Sequence, residues 1–478
     1  MTAPFKWGSE FLVNKTTSEG YEPAVTALAN GRFVVTWMDS SPTGGDTSGS
    51  AIRARVFNAD GTAFGHAFLV NSTLADNQGE PAITTLADGR FVVSWVDNSA
   101  TGGDTSESAV RARVFYANGT PSGAEFLVNT TTTSQQFDPA ITALDGGGFV
   151  VSWSDMSATG GDASFNAVRA QAFSANGVPS GGEFAVNSTT SDNQFEPAIT
   201  TLADDRFVVC WSDASTTFNA TSLYSFRAQV FNSDGTPSGD EFLVGRTEID
   251  FQYQPAITAL ADGRFVISWS EWNPTGGDTT PPAVHAQIFD PRETAVTLAG
   301  TQGSDSFVGT VFADTIAGVA GHDTLFGARG KDRLDGSRGN DRLLGGLDND
   351  RILGGGGADI LNGGAGSDRL RGGNGKDRLI GGGDADTFVF VAAAEAGIGA
   401  NRDRISDFAA GSDKLDLSAF MAGGAFIGSA AFTPGNGPQV RFSLATGILS
   451  GDVTGDGITD FQIELDGAPV LTAADFLF

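Results

Sequence analysis

Ten aspartates spaced nine residues apart are the side chains in this sequence best placed to do chemistry: Asp305, Asp314, Asp323, Asp332, Asp341, Asp350, Asp359, Asp368, Asp377 and Asp386. The units around them read Gly-Gly-x-Gly-x-Asp-x-U-x, with U a large apolar residue, most fully in GGAGSDRLR from Gly363 and GGNGKDRLI from Gly372. Glycines at the first, second and fourth slots let the backbone turn through positive φ and aim carbonyl oxygens inward, and each aspartate adds a hard anionic oxygen. Such oxygens suit a divalent cation, and the period is that of a calcium-binding parallel β-roll.

The apolar slot is filled by Phe307, Ile316, Leu325, Leu334, Leu343, Ile352, Leu361, Leu370, Leu379 and Phe388, which start short strands able to stack into a thin core. A flexible Gly/Asp-rich linker would not need an apolar residue two places after every aspartate. Stacking equal turns also brings carboxylates together, and they repel unless a cation lies between them.

These residues resemble the repeats-in-toxin (RTX) family. The resemblance implies two nonapeptides to a turn, with each calcium between loops two units apart. It pairs Asp323 with Asp341, Asp341 with Asp359 and Asp359 with Asp377 on one edge, and Asp332 with Asp350, Asp350 with Asp368 and Asp368 with Asp386 on the other. The expected metal set is these eight aspartates together with Gly345, Gly354, Gly356, Gly363, Gly364, Gly366, Gly372, Gly373, Gly375 and Gly381, holding several calcium ions. The unit GTVFADTIA from Gly309 lacks the later glycines, and Asp348 and Asp384 replace a fourth-slot glycine, so the first two units fall outside the expected set.

The 478 residues are enough for about three domains, and the 40% apolar content, with seven Trp and 36 Phe, is enough for sizeable cores. A net charge of −29 argues against nucleic acid or an anionic membrane as partner, and much of the acid is expected to meet calcium. Cys210 is the one cysteine, which excludes an internal disulfide framework and makes metal the expected staple. The opening MTAPFKWGSEFLVN has no apolar h-region, so no cleaved N-terminal signal is expected, and no apolar run of spanning length occurs.

Before the nonapeptides the chain repeats again, with prolines and tryptophans that step by 58. FLVN begins at Phe11, Phe68 and Phe126 and recurs as FAVN at Phe184 and FLVG at Phe242; Pro23, Pro81, Pro139, Pro197 and Pro255 follow, then Trp37, Trp95, Trp153, Trp211 and Trp269. Each copy reads as four short strands, beginning with FLVN, joined by tight turns such as Ala87-Asp88-Gly89. Four strands cannot bury both faces alone, so the five copies are expected to pack as the blades of a five-bladed β-propeller, with TAVTL (Thr294 to Leu298) closing the ring. Short turns fall on one face and the longer loops, after FLVN and after the tryptophan, on the other, where a ligand would bind.

Candidate chemistry on that loop face is Trp-x-Asp/Glu (Asp39, Asp97, Asp155, Asp213, Glu271) and TGGD (Asp46, Asp104, Asp162, Asp278), which are also good turn formers. The tryptophans suit either a sugar face or a core wedge. Arg53, Arg111, Arg169 and Arg227 are expected to pair with carboxylates between blades, with His285 in the fifth place. Three histidines and no His-Glu-x-x-His exclude a zinc protease, and no catalytic constellation stands out. An enzyme would break the symmetry at one site; Glu271, Trp272, Tyr253 and Arg246 are the departures in the fifth copy, and Tyr224 in the fourth.

After Thr387 the chain resembles the C-terminal domain of serralysin-type secreted proteases, in DRISDFAAGSDKLDLSAF and GILSGDVTGDGITDFQIELDGAPVLTAADFLF. That resemblance implies export by a type I secretion machinery that reads the uncleaved C-terminus, and an extracellular protein. The protease half of that family is absent. Asp452, Asp456 and Asp460 are either half of an EF-hand loop or a turn. The expectation is an all-β chain: residues 1–299 a five-bladed propeller of 58-residue repeats, 300–389 the calcium-binding parallel β-roll, and 390–478 a β-rich secretion domain. The propeller would bind glycan or a cell-surface ligand; the alternatives are a polysaccharide lyase or hydrolase, and a surface-layer or matrix protein.

Overall fold

The computed structural model describes residues 10–14, 20–41, 49–159, 166–214, 225–245, 252–271 and 283–478. The chain forms two compact units, Met1–Pro291 and Arg292–Phe478.

The first unit is a five-bladed β-propeller of antiparallel sheets. In blade 2 the strands are Gln78–Thr85, Phe91–Asp97, Ala109–Phe115 and Phe126–Leu127, in sheet order from inner to outer. Blades 1, 3 and 4 repeat this order, and blade 5 has three strands among the described residues: Gln252–Ala259, Phe265–Glu271 and Ala283–Phe289. The valines, phenylalanines and tryptophan of the second strand alternate between its two sides, so both faces must be covered. Neighbouring blades do this: Val34, Ile52 and Val56 of blade 1 meet Phe91, Val93 and Trp95 of blade 2, and equivalent clusters recur to blade 5.

Two details differ from the sequence reading. FLVN does not open its own blade but hydrogen-bonds as the outer strand of the preceding one, with Arg53 opposite Leu69, Arg111 opposite Leu127, Arg169 opposite Ala185 and Arg227 opposite Leu243. The reason lies in the phenylalanine, which reaches across the blade boundary: Phe68 packs on Phe115 at 5.5 Å between ring centroids, while its strand stays paired behind. TAVTL does not close the ring either. Thr297–Ala299 pairs in parallel with Thr315–Ala317 and forms the first rung of the second unit.

That second unit is a roll of two parallel sheets whose strands alternate along the chain, each residue pairing with the one eighteen places on: Leu325 with Leu343, Leu361 and Leu379, and Leu334 with Ile352 and Leu370. All these side chains are buried, and their core runs without a break into Ile405, Leu415, Leu449, Ile463 and Phe476 of the C-terminal region. The final strand Phe476–Leu477 lies parallel to Lys414–Asp416 at the end of one sheet.

Blade 5 lacks an outer strand among the described residues, and Val284 is 77% and Ile288 49% exposed, whereas the equivalents of Val284 (Ile52, Val110, Val168 and Phe226) are fully buried. At the other end Phe11 packs on Phe57 at 5.3 Å, as the outer-strand phenylalanine of a preceding blade does. Phe11–Asn14 is therefore the segment whose register suits blade 5, with Leu12 opposite His285, and burying Val284 alone would contribute about 1.5–3 kcal/mol. The Leu12→Cys/His285→Cys pair is expected to oxidise to an intrachain disulfide, read as faster non-reducing gel mobility without dimer; interchain cross-links or two free thiols would refute that closure.

Candidate functional site

Each ladder aspartate in the roll uses its two oxygens differently. Oδ1 accepts the backbone N–H of the aspartate eighteen residues earlier: Asp323 donates to Asp341, Asp341 to Asp359 and Asp359 to Asp377 at 2.8–2.9 Å, and Asp332, Asp350 and Asp368 donate to Asp350, Asp368 and Asp386. The structure thus brings together all six pairs that the resemblance implies. Oδ2 of Asp323, Asp332, Asp341, Asp350, Asp359, Asp368, Asp377 and Asp386 is buried with no hydrogen-bond partner. An unpartnered buried carboxylate oxygen is costly and calls for a counter-charge.

The first two units, which carry Thr301 and Thr310 in the second slot, behave otherwise. Oδ2 of Asp305 accepts from Thr301 N at 2.6 Å and from its hydroxyl at 3.0 Å; Oδ2 of Asp314 accepts the N–H and hydroxyl of Thr310. A threonine in the second slot thus supplies from the protein what the other eight lack.

Burial, and then neighbouring aspartates, push the carboxyls of Asp332, Asp350, Asp359 and Asp386 up to about 7, and burial pushes Asp368 and Asp377 to about 6. No three acidic, His or Cys side chains converge on one point among the described residues, so a cation here would draw on backbone carbonyls as well as carboxylates. The donor set fits a hard divalent ion: oxygen only, one uncompensated carboxylate oxygen per rung.

The glycines divide by slot, in part against expectation. Those at the second slot (Gly364, Gly373) and the fourth (Gly366, Gly375) do have positive φ, and a Cβ there would strike the carbonyl eighteen residues back. Those at the first slot, Gly345, Gly354, Gly363, Gly372 and Gly381, do not; they are required because Oδ2 of the aspartate five residues on fills the space of a Cβ. Gly356 stands in the third slot with room for a Cβ, and the left-handed position of that unit is Gly357. Asp348 and Asp384 adopt φ of 75° and 74° in the fourth slot, a conformation that aspartate tolerates better than most residues.

Sequence reasoning missed two members. Asp403 Oδ1 accepts from Asp377 N at 2.8 Å, its Oδ2 is buried without a partner, and burial with the neighbouring carboxylates raises it to about 8. Asp413 accepts from Asp386 N at 3.0 Å, but its other oxygen takes the N–H of Ala409. The step has lengthened from 18 to 26 and 27 residues, which hid both from a search by period. The expected concentration of acid in the roll is also corrected: residues 300–389 hold thirteen Asp against ten Arg or Lys, so nearly all of the −29 lies elsewhere. The Asp452 and Asp460 loop is a turn closed on itself, since Asp452 takes the N–H groups of Gly455 and Gly457 and Asp460 those of Val453 and Thr454.

On the propeller the recurring polar residues are structural. Trp95, Trp153 and Trp211 are fully buried wedges. Asp39 pairs with Arg53 at 2.6 Å, Asp213 with Arg227 at 2.5 Å, and Asp97 and Asp155 bond Arg111 and Arg169, all within one blade rather than between blades because both partners sit on adjacent strands of the same sheet. The boundary is bridged instead by Glu125, Glu183 and Glu241, which accept from Ser72 and Thr73, Thr130 and Thr131, and Ser188 and Thr189. Asp104 is buried and taken up by Ser106 and Asn129. Asp46, Asp162, Asp278, Arg246, Trp272 and Tyr224 lie outside the described residues, as does the side chain of Tyr253. Blade 5 breaks the pattern, with His285 Nε2 3.5 Å from Glu271 Oε2 and its ring stacked on Trp269.

A second acidic series was legible only with the fold in hand. Glu22, Glu80, Asp138 and Glu196 occupy a bulge of each inner strand with φ of 51–53°, and Gln254 holds the fifth place. Glu22 accepts the N–H of Glu80, and Glu80 that of Asp138; the shorter Asp138 reaches Glu196 through Ser154. Burial, then the charges of Glu80 and Glu196, push the Asp138 carboxyl up to about 7. A raised carboxyl pKa stabilises the fold at low pH, and that stability is lost as pH climbs from the ordinary aspartate value of 3.8 through about 7. In saturating calcium, Asp138→Asn is expected to flatten this part of the propeller's Tm-versus-pH curve and to raise Tm above pH 7; an unchanged slope would refute the assignment.

Residues 299–334 match the RTX calcium-binding nonapeptide repeat, in four copies, and residues 334–478 match the peptidase M10 serralysin C terminal domain. Among solved structures, the AlgE6R3 subunit of the Azotobacter vinelandii mannuronan C5-epimerase is 34% identical, covering 29% of this chain and 78% of that one, with a TM-score of 0.23. The Penicillium chrysogenum α-L-arabinanase complexed with arabinobiose is 14% identical over 57% of this chain and 77% of its own, with a TM-score of 0.38. The GH93 α-L-arabinofuranosidase of Fusarium graminearum is 12% identical over 59% and 85%, with a TM-score of 0.39. No curated protein matches the chain. Behind its propeller, this chain carries RTX calcium-binding nonapeptide repeats that run into a serralysin-type C-terminal domain.

Proposed function

We propose that the chain is a secreted protein whose roll is locked by several calcium ions held on Asp323 to Asp386 and the glycine carbonyls between them, and whose propeller carries a binding site for glycan or other cell-surface material. The observation that carries the calcium reading is the division of the ladder: eight aspartates whose units have no threonine in the second slot keep an unpartnered buried oxygen, and Asp305 and Asp314, whose units do, have theirs filled by it. Calcium would neutralise the oxygens, and its removal would leave like charges one rung apart, about 4.8 Å. Such a chain is suited to cross a narrow type I channel unfolded where calcium is scarce and to fold outside.

The second reading, a glycan-acting enzyme, has one observation in its favour: the Glu271 and His285 pair stands where the other blades hold an Asp–Arg ion pair. Loss of all hydrolysis of a glycan panel in His285→Ala, with glycan binding retained, would establish it.

For the roll, calcium titration followed by circular dichroism should show a gain of β signal that chelator reverses. Asp359→Asn should weaken uptake at least about tenfold, and Asp305→Asn should leave it unchanged. A roll already ordered in chelator would refute the reading. For the propeller, a glycan array with intact protein should give binding that survives truncation of the roll if the propeller is the site.

A further inference from the structure

One outward face of the roll carries a row of arginines in direct register. Arg333 lies opposite Arg351 and Arg351 opposite Arg369 on successive parallel strands, so the guanidinium groups rise one rung, about 4.8 Å, at a time. Like charges set opposite one another destabilise a sheet, and nothing in the core requires them, since these side chains point away from Leu334, Ile352 and Leu370. The row borders a cleft of about 120 Å³ that Arg371 also lines, with Leu353 and Val391 for its apolar wall.

The charges around the cleft do not cancel. Arg369 pairs with Asp416 at 2.8 Å, Arg371 with Glu395, and Arg333 lies 3.8 Å from Asp335, but Arg351, in the middle of the row, has no ion-pair partner among the described residues. Each arginine of the row directly follows a ladder aspartate: Asp332, Asp350 and Asp368, each with an uncompensated oxygen. Without a cation those carboxylates offset the row. With the ladder neutralised, the row is left as the dominant local charge, and the roll passes from its balance of −3 to a positive one.

From this we infer that the cleft is a calcium-gated binding site for a linear carboxylated polysaccharide, one uronate carboxylate to each arginine. The inference goes beyond the reading of the ladder and rests on it. Guanidinium forks match carboxylates in a bidentate way. A spacing of one rung is close to the length of one sugar ring in an extended chain, and Leu353 and Val391 suit the C–H face of a pyranose. The −29 of the whole chain opposes long-range attraction of any polyanion, so the site must act through local bidentate contacts of the row.

The test uses the full chain, labelled tetragalacturonate and fluorescence anisotropy, with free calcium buffered at millimolar level or removed with chelator, and calcium uptake measured in parallel. Binding is expected in calcium and not in chelator. Arg351→Gln should weaken it about tenfold while taking up calcium normally, and Arg342→Gln, on the other sheet, should not change it. Normal calcium uptake with no galacturonate binding would overturn the cleft alone, whereas absent uptake would overturn the calcium reading beneath it. Binding of dextran sulfate but not galacturonate, equal loss in both variants, or equal binding in chelator would also overturn the proposal.

Discussion

A carboxylate buried beside its own kind is the constraint on which the roll depends. Stacking at eighteen residues commits Oδ1 of each ladder aspartate from Asp323 to Asp386 to the N–H of the rung before it, which leaves Oδ2 facing a wall of glycine Cα atoms with nothing to donate to it. Desolvation then drives the carboxyls toward neutrality, and a divalent ion is the alternative that keeps them charged. The protein itself meets this need at three of the four ladder ends. At the start Thr301 and Thr310 act as donors to Asp305 and Asp314, and at the finish Ala409 does so for Asp413, while Asp403, which ends the other edge, keeps a buried oxygen without a partner.

The propeller solves the same problem by other means. Its buried Asp97, Asp155 and Asp213 face arginine on the next strand, and Glu125, Glu183 and Glu241 collect N–H and hydroxyl groups across the blade boundary. Burial alone would raise the Glu183 carboxyl, but the hydrogen bonds from Thr131 and Thr130 outweigh it and hold it below its usual value. Fixed donors of this kind need no external ion. The two units therefore differ in what they require of their surroundings, although both are built from short repeated strands with thin cores.

Period and residue type made the apolar row and the exceptional first two units legible, and the resemblance to RTX repeats, with two nonapeptides to a turn, implied the six aspartate pairs. What escaped was whatever left that spacing. Asp403 and Asp413 continue the ladder through longer steps, and the division of labour between first-slot and second-slot glycines depends on where an oxygen sits, which a pattern does not contain. In the propeller the copies were plain but their phase was not. Leu69 and Leu127 read as the start of a unit because the motif is followed by its proline, and only pairing shows them finishing the previous sheet. The Glu22 to Glu196 series escaped because no sequence rule marks a bulge whose residue holds a positive φ and whose carboxylate takes a neighbour's N–H.

Alternation between two sheets also gives the roll a parity. Arg333, Arg351 and Arg369 share one side because they are separated by an even number of nonapeptides, while Arg342 and Arg378 fall on the other. Loss or gain of a single nonapeptide would hand every later strand to the opposite sheet, dividing rows such as Arg333, Arg351 and Arg369 between two faces and carrying Leu415 and Phe476 together to the other side. Only changes of two units at a time leave such a chain in step, so its length can drift by duplication in paired increments and not by single ones.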